Sequence, residues 1–196
     1  VRRGVFGRAA LVVGLTLLCS SSSAIKPTDY FRLADLEKER SMTPEKFADL
    51  FQRFFYELYP KVRPPDDFLW QRAGDCDDYA VLGAHILGRN GFKTRLMQVQ
   101  LTGSNVDHAV VFVTEKNVYL DYNNRQLRNK LVKSDPTLRD VATLVANSFR
   151  RSWTTAFEFT YSYDEGWKKP GWVIVKTDPP ARDADRMSAQ QSKSRP

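Results

Sequence analysis

The sequence offers few groups able to act as a nucleophile or a base, and three of them fall into one pattern. Cys76 lies in Gly74-Asp75-Cys76-Asp77-Asp78-Tyr79-Ala80, at the expected start of a helix. There the unpaired N–H groups and the helix dipole favour a thiolate. A thiol nucleophile needs a base, and the base needs a group to orient it. The chain has 2 His. His85 follows in the same predicted helix, about 13 Å along its axis from Cys76. It cannot reach the thiol and reads as a partly exposed helix residue. His108 opens the apolar run Ala109-Val110-Val111-Phe112-Val113, where a polar side chain needs a reason.

Parity supplies the third member. If the hairpin after His108 pairs Val113 with Val118, His108 faces Asn123, and Asp121 lies diagonally on the same face. Diagonal neighbours are about 7–8 Å apart at Cα, within reach of His and Asp side chains. A connection of even length keeps the two on one face, and an odd one separates them. Asp121 also sits inside Val118-Tyr119-Leu120-Asp121-Tyr122, a poor place for an unpaired carboxylate. The plainer alternatives are a buried structural thiol for Cys76 and a turn role for Asp121 with Asn123-Asn124.

The elements that must position these residues can be traced in the pattern. Residues 25–42 read as irregular. Thr43-Pro44-Glu45 opens a helix, with Thr43 as N-cap and Pro44 at the first helical position. Phe47, Leu50, Phe51, Phe54, Phe55 and Leu58 then give it one broad apolar face, up to Pro60. A second helix runs from Cys76 to Arg89, capped by Asp75 and stopped by Asn90-Gly91. Strands follow at about 93–101, 107–114 and 118–123. A third helix is expected from Pro136 to Asn147. Residues 153–163 alternate as Trp153, Thr155, Phe157, Phe159, Tyr161 and Tyr163, a strand with one aromatic face. A last strand is expected from Gly171 to Lys176. Helices first and an antiparallel sheet after them make the class α+β.

Composition bounds the rest. The apolar fraction of 42% and charged fraction of 27% are those of a globular chain, which excludes a disordered polyelectrolyte and a multi-span membrane protein. Residues 1–24 have the layout of a secretory signal peptide: Arg2, Arg3 and Arg8, then apolar Ala9 to Leu18, then small Ser20 to Ala24. The apolar run is about half the roughly 20 residues of a membrane span. The mature chain is therefore expected to begin at Ile25, periplasmic or secreted and without a permanent span. Acylation at Cys19 is the rival address, weakened by Leu18 before the cysteine. Without Arg2, Arg3 and Arg8 the net charge falls from +7 to +4, so much of the basicity belongs to the leader. The remaining basic residues are scattered, and nucleic-acid binding is not expected. Cys76 becomes the one cysteine left, unable to form an internal disulfide. The domain is expected over 25–176, as a monomer, with a polar, disordered tail over 177–196.

The Cys block, Asp107-His108-Ala109-Val110-Val111 and Tyr119-Leu120-Asp121 together resemble the bacterial transglutaminase-like cysteine peptidases, within the wider transglutaminase-like (papain-like) superfamily. The resemblance covers roughly residues 43–125. It departs at Asp77, where the family usually has Glu, and matches Phe68 to Ala73 loosely. It implies a core in which the catalytic Cys begins a central helix packed on an antiparallel sheet. It also implies Cys76 as nucleophile, His108 as base and Asp121 as its orienter, the arrangement reached above from spacing.

Two further assignments concern the surroundings of the thiol. Asp75, Asp77 and Asp78 would oppose a thiolate. Either they cap the helix, or a cation screens them. Some members of the similar family, periplasmic proteases that release biofilm adhesins, bind calcium through acids flanking the Cys, which would carry to Asp75 and Asp77. Calcium takes 6–8 oxygens, so carbonyls, water, Asp66 or Asp67 would have to complete the site. Zinc is not expected, because no Cys/His ligand spacing exists. An oxyanion would need donors: the Cys76 N–H is one candidate, and Trp70 or Gln71 the other. Trp70 has a structural alternative, as a core aromatic.

The expected activity is that of an exported cysteine hydrolase, a protease or amidase acting on a protein or peptide through an acyl-enzyme, with no cofactor required for the chemistry. Two alternatives stay open. One is a protein-crosslinking transglutaminase. The other is a non-catalytic envelope binding module presenting the aromatic strand 153–163 with Trp167 and Trp172.

Overall fold

The computed structural model describes residues 32–105 and 107–176. The leader, Cys19, the expected start at Ile25 and the tail over 177–196 lie outside the described residues. Two short helices come first, α1 (Leu33–Lys38) and α2 (Pro44–Leu50), then β1 (Phe55–Tyr56), α3 (Pro65–Gln71) and β2 (Ala73–Gly74). The long helix α4 (Cys76–Arg89) follows. Next are β3 (Thr94–Leu101), β4 (Asp107–Val113), β5 (Val118–Leu120), β6 (Leu131–Lys133), α5 (Leu138–Ser148), β7 (Trp153–Ser162) and β8 (Trp167–Val175).

The last six strands form one antiparallel sheet in the order β6-β5-β4-β3-β7-β8. Alternation along each strand divides its side chains between two cores. Leu96, Ala109, Val111, Val113, Val118 and Leu120 pack with α4 and the N-terminal helices. Met97, Val99, Val110, Phe112 and Tyr119 pack with Leu138, Val141, Ala142 and Val145 of α5. The class is α+β, with α4 against an antiparallel sheet.

α4 has the predicted bounds. Asp75 caps it, and Asn90 ends it before Gly91, whose φ of +88° is one that glycine adopts without strain. Gly83 lets the helix lie close to β4: a Cβ there would stand 3.0 Å from Val111 Cγ1 and 3.1 Å from Phe47 Cε1. Beneath the first turns of α4, the rings of Phe47, Phe51, Phe54, Phe68 and Tyr79 pack with centroids 4.8–5.5 Å apart. Such stacked, tilted and edge-on pairs add to the area they bury.

Four expectations are corrected. The helix opened by Thr43 stops at Leu50 rather than running to Leu58. Phe55 and Tyr56 are extended and pair in parallel with Ala73 and Gly74, which turns Phe55 (74% exposed) and Leu58 (57% exposed) out to solvent. Tertiary pairing outweighs a helical pattern that Pro60 would soon have ended. Secondly, α1, α3 and β6 form in segments with no predicted element. Thirdly, Trp153 leaves the aromatic face of its strand. The β3–β7 register shifts between Gln100 and Leu101, so Trp153 pairs with Leu101 and joins the α5 core, while Phe157 and Phe159 stay with the α4 core. One extra residue in a strand reverses the faces beyond it. The last strand also begins earlier than expected, at Trp167.

Gly74 is the tightest glycine near α4. A Cβ there would stand 2.5 Å from both Asp78 Oδ2 and Phe68 Cδ2. Gly74→Ala is expected to destabilise the fold by about 1–3 kcal/mol, read as a lower midpoint in urea at unchanged slope.

Candidate active site

α4 delivers Cys76 by a reciprocal cap. Asp75 Oδ1 accepts the Asp77 N–H at 3.0 Å, and Asp78 Oδ2 accepts the Asp75 N–H at 3.0 Å. This is a capping box with Asp in both roles. The second oxygen of each carboxylate holds the preceding loop: Asp75 Oδ2 accepts from Tyr59 N at 3.0 Å, and Asp78 Oδ1 from Arg63 N at 2.6 Å. Burial raises the pKa of Asp75 against the opposing N–H bond from Tyr59, and the charge of Asp77 adds to the rise. Burial likewise lifts Asp78 to about 6, against N–H bonds from Arg63 and Asp75.

His108 and Asp121 meet as parity requires. Val113 pairs with Val118, the register assumed from the sequence. The link between them has four residues, so His108 shares a face with Val110 and Phe112, and Asp121 with Tyr119. His108 Nε2 lies 2.9 Å from Asp121 Oδ1, which also accepts the Asn123 N–H at 2.8 Å. Both side chains are buried, and the Phe149 ring covers the imidazole edge-on at 4.8 Å. The Cys76 thiol lies near enough to the same imidazole to help raise its pKa. With Nε2 given to Asp121, the nitrogen left for sulfur is Nδ1. Burial works to lower the His108 pKa. The charge and hydrogen bond of Asp121, with those of Cys76, outweigh it and push it up to about 10. The imidazole is therefore positively charged at neutral pH.

Two openings flank this pair. A cavity of about 560 Å³ is lined by Tyr59, Asp75, Cys76, Asp77, Gln98 and Lys168 among others. A second, of about 340 Å³, is lined by Tyr56, Leu101, His108, Asn123 and Phe149. Asp107 borders both. A larger cavity of about 640 Å³ lies by Lys116 and Lys133 and is lined by neither cysteine nor histidine. The arrangement can form a thiolate–imidazolium pair and transfer one proton between sulfur and a substrate.

The other assignments fare differently. Trp70 is 72% exposed, which removes the core role, and the Gln71 oxygen accepts from Arg63 Nη1. Neither is among the residues lining the Cys76 cavity. The Cys76 N–H stands in the first turn, where N–H groups lack intrahelical acceptors. Tyr56 lines the His108 cavity. Its pKa is raised by burial and then by the charges of Cys76, Asp75 and Asp77, so it presents an O–H. His85 is a partly buried helix residue, 2.7 Å from Glu37 Oε1.

Asp75 and Asp77 do not form a calcium site in this arrangement. Both Asp75 oxygens accept N–H groups, and Asp77 Oδ2 takes the Lys168 ammonium at 2.6 Å. Asp66 Oδ1 accepts the Leu33 N–H at 2.6 Å. Among the described residues no group of three or more His, Cys, Asp or Glu could hold a metal ion. Nothing in the local pattern pointed to Lys168 or Gln98. They arrive from the sheet, and Lys168 stands far from the Cys block along the chain.

Residues 29–127 match the transglutaminase-like domain family. No curated protein matches the chain. Among solved structures, calcium-bound LapG of Legionella pneumophila is similar, at 20% identity over 78% of this chain and 86% of the other, with a TM-score of 0.41. A putative cysteine protease from Cytophaga hutchinsonii is 20% identical over 77% of this chain, with a TM-score of 0.34. This chain spans about half of that one, 53% of its length.

The charge state of His108 sets a pH dependence. In the unfolded chain an imidazole titrates near 6.5, and in the fold at about 10. The stabilisation from pairing with Asp121 is thus complete below pH 6.5 and is lost as pH rises through about 10. Asp121→Asn is expected to cost about 1–3 kcal/mol near pH 6. The gap between variant and wild type should narrow towards pH 10 in urea melts run across that window.

Proposed function

The chain belongs to the transglutaminase-like domain family, and on that premise we propose that it is an exported cysteine hydrolase that cleaves an amide bond in a protein or peptide. The observation that carries the reading is the buried His108–Asp121 hydrogen bond beside Cys76 at the start of α4, opening onto a two-sided cleft. Export rests on the layout of residues 1–24.

The chemistry follows from the geometry. The Cys76 thiolate attacks the carbonyl carbon, and the electron pair moves to the carbonyl oxygen. The Cys76 N–H and the Tyr56 hydroxyl are the donors best placed to receive that oxyanion. His108 gives its proton to the leaving nitrogen as the C–N bond breaks, which leaves a thioester on Cys76. The neutral imidazole then takes a proton from water, hydroxide adds to the thioester, and the acid departs as the thiolate reforms. Asp121 holds the ring so that Nδ1 faces sulfur throughout. These steps need no cofactor. An amine in place of water would make the same site a transglutaminase.

Alkylation of Cys76 by iodoacetamide at about pH 6 tests the reading, measured on the peptide that carries Cys76 so that Cys19 does not interfere. A free thiol, with a pKa of about 8.5, is almost wholly protonated there and reacts slowly. The wild type is expected to react roughly 10–100-fold faster than His108→Ala. Slow and equal rates in both would make Cys76 a structural residue and leave the binding-module reading, with Trp167 and Trp172, in front.

A further inference from the structure

The carboxylate immediately after the nucleophile has a partner from the far end of the chain. Lys168 of β8 puts Nζ 2.6 Å from Asp77 Oδ2 and 2.8 Å from Gln98 Oε1, with the Phe159 ring centroid 5.2 Å away. The amide of Gln98 is oriented by this contact. Its oxygen faces the ammonium, and its nitrogen donates to Asp107 Oδ2 at 2.9 Å. A flipped amide would set like groups against both neighbours. Asp107 immediately precedes His108. One cation thus ties the residue after the nucleophile to the residue before the base.

Lys168 also differs from its neighbours in the strand. β8 is an edge strand, and Trp167, Trp172, Val173 and Val175 all stand more than half exposed on it. The Lys168 side chain is 23% exposed and that of Asp77 is 25% exposed, so their contact is partly withdrawn from water. It lines the Cys76 cavity.

We propose that Lys168 is the internal cation of this site. It neutralises Asp77 beside the thiolate, holds the Gln98–Asp107 pair in register with His108, and occupies the place that a calcium ion on Asp77 would need. Calcium would have to displace an ammonium delivered by the chain itself, at high effective concentration. It would also have to find six or more oxygens where both Asp75 oxygens already accept N–H groups. The site is therefore calcium-independent, and Lys168 is a positioning residue. Its effect on reactivity rests on Cys76 being the nucleophile, whereas its exclusion of calcium does not.

The experiment uses the full chain, as wild type, Lys168→Met and Lys168→Arg. Each is melted with millimolar calcium and with chelator, and each is alkylated at Cys76 below its melting range. The wild-type Tm is expected to be the same in calcium and in chelator. Lys168→Met is expected to lower the alkylation rate roughly three- to fivefold, and Lys168→Arg to restore it. A wild-type Tm raised by calcium overturns the proposal and needs no variant. A Lys168→Met chain that alkylates at the wild-type rate overturns it too, as does an arginine that folds but does not restore the rate. If wild-type Cys76 is no faster than in His108→Ala, the hydrolase reading falls instead, and the calcium melt still decides whether Lys168 excludes the ion.

Discussion

Two buried carboxylates decide where α4 begins, and the site depends on that point. Asp75 and Asp78 each bind one N–H of the helix start and one N–H of the loop at Tyr59 or Arg63. Moving the helix start by one residue would rotate Cys76 by about 100° and take the thiol off the imidazole. Burying the two acids costs desolvation energy, visible in their raised pKa values, and the four N–H bonds offset it. The aromatic cluster below and the close approach at Gly83 then hold the helix against β4. Cys76 consequently lies at the His108 end of the strand, while Gly83 lies at Val111.

Charge balance is the second constraint. Asp75, Asp77, Asp78, Asp107 and Asp121 crowd one thiol, and such a field would disfavour a thiolate if left unanswered. Each acid is answered locally. The capping pair spend their charge on backbone N–H groups, Asp121 on the imidazolium, Asp107 on Gln98 and Asp77 on Lys168. A site of this kind is preorganised: its dipoles and charges are fixed before any substrate arrives.

The sheet does two jobs through parity. Its alternation divides the two cores, and it puts His108 and Asp121 on one face. A four-residue link is all that this second task requires. The bulge at Gln100/Leu101 shows how sensitive such placement is, since a single shift sends Trp153 to the α5 side while Phe159 stays with α4.

The sequence by itself determined the elements whose signals are local. The caps of α4, the β4–β5 register and the pairing of His108 with Asp121 were legible because capping, turn length and strand period act over a few residues. So was the place of Cys76 at a helix start. What only the tertiary structure decided depends on groups brought from afar. The helical pattern from Phe47 to Leu58 was cut short by pairing with Ala73-Gly74. Trp70 lies exposed and Gln71 pairs with Arg63, outside the lining of the Cys76 cavity, and Tyr56 took a place at the cleft. Asp77 found Lys168, which no spacing could foretell. A carboxylate in a sequence carries a demand for a partner, but the demand does not say whether a metal ion, an N–H or a distant ammonium will meet it. That choice is made by whichever donor the fold brings within hydrogen-bonding distance.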